Sequence, residues 1–80
     1  MNFIWLEFAR SELRAVDCEN AMRIPLALTR YAESGAGDIK ALSGEWDGYY
    51  RLRVEDFRVI FRIVPEELVI ARVRHRSDVY

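Results

Sequence analysis

Seven arginines fall between Arg51 and Arg76, and within each segment they keep to one parity: Arg51 and Arg53, then Arg58 and Arg62, then Arg72, Arg74 and Arg76. A guanidinium is planar and donates two parallel hydrogen bonds at once, so it suits phosphate and carboxylate alike. Such a set points to an anionic partner and leaves RNA and an acidic protein equally open. His75, the one histidine, stands between Arg74 and Arg76. Histidine is the side chain whose ordinary titration lies nearest neutrality, which fits a proton carrier. Strict alternation turns it away from the arginines, which fits a structural role equally. Tyr49 and Tyr80 flank the arginine segment, where a tyrosine can stack on a base or take a proton. One cysteine (Cys18) and one histidine give no metal-ligand set, and the four glycines have no phosphate-loop spacing. No metal or cofactor is expected.

Alternation with period two is the mark of a half-buried strand. Val54-Glu55-Asp56-Phe57 reads as a tight hairpin that sets Val54 opposite Phe57. One face then carries Tyr50, Leu52, Val54, Phe57, Val59, Phe61 and Ile63. The other carries Tyr49, Arg51, Arg53, Arg58, Ile60 and Arg62. A reversal at Pro65-Glu66-Glu67 leads to a third strand from about Leu68 to His75. Val69, Ala71 and Val73 are expected on its apolar face, Arg72 and Arg74 on its basic one, with Arg76 just beyond. The neighbouring acids, Glu55, Asp56, Glu66 and Glu67, fall mostly in the turns, so charge is segregated locally although the net charge is only −1.

Upstream, Phe3 to Glu7 reads as a short strand and Ala9 to Val16 as a helix with an Ala9, Leu13, Val16 stripe. Asp17 is a fitting N-cap for a second helix, Cys18 to Ser34, with Ala21, Ile24, Leu28 and Tyr31–Ala32 inward. Pro25 should kink that helix or mark its true start. Ser34-Gly35-Ala36-Gly37-Asp38 ends it, and Ile39 to Gly48 reads as a connection. The order β-α-α-β-β-β gives an α+β fold, a two-helix hairpin on one face of an antiparallel sheet, in a single domain over residues 1–80. An apolar fraction of 51% suits a folded core, with no run long enough for a membrane span and no signal-peptide pattern. With its single cysteine, the chain is expected in the cytoplasm.

Three stretches carry a resemblance: Gly37-Asp38-Ile39-Lys40-Ala41-Leu42-Ser43-Gly44, then Gly48 through Phe61, then His75-Arg76-Ser77-Asp78-Val79-Tyr80. Together they resemble the RelE/ParE family of bacterial toxins, a two-helix hairpin on an antiparallel sheet. The resemblance implies the toxin of a type II toxin–antitoxin module, able to arrest growth and silenced by a cognate antitoxin. RelE-like members cut messenger RNA in the ribosomal A site without a metal; ParE-like members inhibit DNA gyrase. Carried over position by position, the nuclease set falls on Arg58, Arg76, Tyr80 and Arg51, with His75 as a further proton carrier. Arg53, Arg62, Arg72, Arg74 and Tyr49 would bind RNA. Tyr49 stands where the RelE pattern has a lysine. The resemblance thus implies a ribosome-dependent endoribonuclease. Its alternatives are a gyrase inhibitor without nuclease activity and a non-toxic antitoxin-binding relative.

Overall fold

The computed structural model describes residues 2–78. Asn2–Trp5 forms strand β1, Glu7–Arg14 helix α1 and Cys18–Ser34 helix α2. Strand β2 (Asp38–Ala41) and a 3-10 turn at Gly44–Trp46 lead to β3 (Tyr50–Val54), β4 (Phe57–Val64) and β5 (Glu67–His75). A second 3-10 turn, Arg76–Asp78, follows. The five strands make one sheet in the order β1-β5-β4-β3-β2. Among the described residues no helix is long and apolar enough to cross a membrane.

The expected layers form for the expected reason. Ala9 of α1 and Ile24 and Leu28 of α2 are fully buried against Leu52, Val59, Phe61, Leu68 and Ile70. Each large aliphatic or aromatic side chain so buried contributes about 1.5–3 kcal/mol. Asp17 caps α2 by accepting the Asn20 amide at 3.2 Å. Gly35 closes the other end at φ 76°, a left-handed position that costs glycine nothing. Pro25 lies within α2 and is not its start.

Three expectations are corrected. First, the segment from Ile39 to Gly48 is not merely a connection, because Asp38–Ala41 pairs with β3 in antiparallel register. Four residues that include Asp and Lys carry little strand signal of their own. Second, the sheet is mixed: β1 runs parallel to β5, Asn2 beside Glu67 and Trp5 beside Ile70. Third, β5 does not hold one phase. Phe61 lies opposite Ile70 but Ile60 lies opposite Arg72, so Ala71 is an extra residue, a bulge. Leu68 and Ile70 therefore face the helices ahead of it and Val73 behind it. Val69 pairs with Arg62 on the other face, and neither Val69 nor Ala71 joins the helix-side core. Smaller shifts concern element ends: β1 stops at Trp5 and α1 begins at Glu7.

The hairpin between β3 and β4 has two turn residues, with Val54 opposite Phe57. Of its pair only Glu55 has a positive φ (54°), so the turn is not type I′.

Candidate functional site

Cross-strand neighbours share a face with Cβ atoms about 4.5–5.5 Å apart, so the register lays out the open face as rows. Asp38, Arg53, Arg58 and Arg74 form one row across β2, β3, β4 and β5. Lys40, Arg51, Ile60 and Arg72 form the next. A third holds Arg62, Val69 and Ile4. Ile60 is fully buried although it lies on this face. It is flanked by Arg51 and Arg72, whose aliphatic stems suit that cover while their heads reach outward.

Like charges placed side by side repel, and carboxylates relieve part of that strain. The Arg51 guanidinium meets Asp38 at 3.1 Å, and its side chain is only 18% exposed. Its Nε is buried and finds no acceptor among the described residues. Arg72 is held more firmly. Its Nε lies 3.1 and 3.2 Å from the two Glu12 oxygens, and Nη2 lies 2.7 Å from one of them. The same Glu12 accepts the Val73 amide at 2.8 Å, an N–H on the stretch of β5 beyond its pairing with β1. Burial pushes the Glu12 carboxyl up. The Arg72 and Val73 hydrogen bonds and the charges of Arg72 and Arg74 outweigh it and hold the group below the usual carboxylate range. The Glu12 hydrogen bonds correspondingly raise Arg72 against its own desolvation.

What remains cationic is narrower than the arginine count suggests. Arg53 and Arg62 are exposed and make no ion pair among the described residues. Among the described residues Arg58 donates only to the Phe57 carbonyl, at 3.3 Å, and Arg74 only to the Asp78 carbonyl. The row Arg53–Arg58–Arg74 is therefore three adjacent arginines on three strands that make no ion pair among the described residues, although Asp38 ends the row beside Arg53 and the Arg74 charge reaches Glu12. Arg76 lies past β5, its amide bonded to the Asp56 carbonyl at 2.7 Å and its Nε 3.8 Å from the Asp56 carboxylate.

The other candidates are placed differently. His75 is opposite Phe57 on the helix side, with the two rings edge-on at 5.2 Å. Its Nδ1 accepts the Ser77 amide at 3.1 Å, which leaves the ring proton of the neutral form on Nε2. The structure thus does not bring His75 to the arginine rows. Tyr49 is half-buried and braced edge-on against Trp46 at 5.0 Å. Tyr80 lies outside the described residues. Sequence reasoning missed Glu12 and Asp38, the acids that neutralise Arg72 and Arg51. Asp38 belongs to the unassigned strand β2, and Glu12 meets Arg72 only because α1 lies beside the edge of β5.

Chemically, a row of unpaired guanidiniums can grip successive phosphates and stabilise charge that develops on one of them.

Known proteins share this fold. The family model described as the ParE toxin of the type II toxin–antitoxin system parDE matches residues 9–80. The chain is similar in structure to the RelE toxin of the RelB–RelE antitoxin–toxin complex from Methanococcus jannaschii. The TM-score is 0.75 at 24% identity, over 92% of this chain and 91% of that one. The YoeB dimer from Staphylococcus aureus gives 0.78 at 19% identity, over 94% and 95%. The RelBE2 toxin–antitoxin complex from Mycobacterium tuberculosis gives 0.65 at 28% identity, over 96% and 92%. No curated protein matches the chain by sequence.

Proposed function

The chain belongs to the ParE toxin family of type II toxin–antitoxin systems; from its open arginine face and its likeness in fold to RelE and YoeB toxins, we propose that it cleaves messenger RNA on the ribosome. The observation that carries this reading is the row Arg53–Arg58–Arg74, unpaired with carboxylate among the described residues, on the face the helices leave open. In the proposed reaction a ribose 2′-oxygen attacks the adjacent phosphorus. A cyclic phosphate forms, and the 5′-oxygen of the next nucleotide leaves with a proton. Arg53 and Arg74 hold the strand. Arg58, central in the row, and Arg76 stabilise the charge gathering on the phosphate. Each well-placed donor of this kind contributes about 3–4 kcal/mol to the transition state. Tyr80 relays the proton of the 2′-hydroxyl to the departing 5′-oxygen, and Tyr49 and Arg62 guide the flanking strand.

Arg58→Ala is expected to lower cleavage of ribosome-bound transcripts by about 100-fold or more, with circular dichroism unchanged. Primer extension on transcripts from induced cells measures it. Undiminished cleavage in this variant discards the role of Arg58, and intact transcripts in cells that make the unsubstituted chain discard the nuclease reading. A second reading, gyrase inhibition without chemistry, is favoured by His75 facing the helices, which leaves the described arginine face without an imidazole. Lost supercoiling and broken DNA, with intact transcripts, would select it.

The partner proposed for either reading is a cognate antitoxin whose acidic segment covers the arginine rows. Salt should weaken that complex, because exposed guanidinium–carboxylate contacts are screened.

A further inference from the structure

Phe8, on α1, is 73% exposed, more than any other exposed large apolar side chain of the described chain. Its placement is specific. Phe8 and Glu12 are one helical turn apart, and both meet Arg72: Glu12 through the forked ion pair, Phe8 with its ring 5.5 Å from the guanidinium carbon. Arg72 ends the row that begins at Lys40 and runs through Arg51 and Ile60. The ring therefore stands at the rim of the cationic face, next to a guanidinium whose charge is already matched and whose motion is restrained. It also walls a small cleft of about 180 Å³ with Glu7 and Ser11.

We propose that Phe8 is a stacking platform for one base of a single-stranded RNA whose phosphates lie on the arginine rows. The proposal rests on the RNA reading given above. A cationic row beside an aromatic ring is the combination that single-strand recognition uses, because phosphates are held by charge while a splayed base stacks on a flat apolar surface. Arg72 serves here as a brace for the ring, and the row Arg53–Arg58–Arg74, whose Arg74 lies two residues beyond Arg72 on β5, supplies the phosphate contacts. A protein partner is the rival occupant, since Ile4 and Leu6 are also 40% and 43% exposed.

The test measures binding of a short 2′-O-methyl oligoadenylate, which cannot be cleaved, and of its abasic counterpart, to the purified chain. One stacked base is worth about 1–3 kcal/mol, or about 5-fold to 150-fold in affinity. Phe8→Ala should lose that factor for the base-bearing strand and leave the abasic strand unaffected, while Phe8→Trp restores it. Equal weakening of both strands would mean that Phe8 only supports Arg72, and would overturn the proposal. So would unchanged binding of both strands, or a variant whose sole defect is failure to co-purify with the antitoxin. If the unsubstituted chain binds neither strand even when ribosomes are present, the RNA reading falls and the stacking site with it. Abasic binding without any contribution from the base sinks the stacking site alone.

Discussion

Glu12 decides how much of the arginine face stays available. By holding Arg72 and the Val73 amide together it neutralises one end of its row, while Arg53, Arg58 and Arg74 in the next row make no ion pair among the described residues. Its carboxyl lies below the ordinary range in the folded chain, which fixes the sign of its effect on stability. The stabilisation is complete above the unfolded glutamate value and is lost as the pH falls through the lower, folded value. Glu12→Gln should therefore cost about 1–3 kcal/mol near neutrality, and the deficit should shrink as acid protonates the unsubstituted protein. Urea unfolding at a series of pH values measures both. At this scale the sequence was half legible. Parity alone put Arg53, Arg58 and Arg74 on one face, because strand geometry is local. The carboxylates that silence Arg51 and Arg72 come from β2 and α1, and only the folded chain shows those neighbours.

Among the elements, the two tight turns carry most of the local strain. Glu55 and Glu66 both have left-handed backbones, at φ 54° and 65°. An L-residue there gives up about 1–2 kcal/mol relative to its preferred conformations, which glycine avoids at some entropic cost. Glu66 is exposed and makes no ion pair among the described residues. Glu66→Gly should therefore stabilise the fold by about 0.5–1 kcal/mol. Glu55→Gly should gain less, because Glu55 meets Arg23 of α2 at 3.2 Å. Thermal midpoints of the two variants would show the ordering. The β3–β4 hairpin and both helices were readable because their apolar periods run unbroken. The bulge at Ala71 was not, since an extra residue opposite Ile60 and Phe61 leaves no mark in composition. Strand β2 was lost for want of length.

On the scale of the whole molecule, Phe61 is the keystone of the helix-side layer. It is fully buried, with Tyr31 and Tyr50 rings at 5.5 and 5.9 Å. A chain of 80 residues holds roughly 4–12 kcal/mol in total. Phe61→Ala removes about 3–5 kcal/mol of it. A large drop in the denaturation midpoint is expected, and a midpoint that barely moves would place the core elsewhere. The parallel pairing of β1 with β5 has its own bearing on how such a protein comes into being. Asn2 leaves the translating ribosome long before Glu67 exists, so the edge strand must wait unmatched until β5 has been made. A nascent fragment cannot close its sheet. A cell that makes this chain thus meets the complete arginine surface only once β5 has followed every other strand.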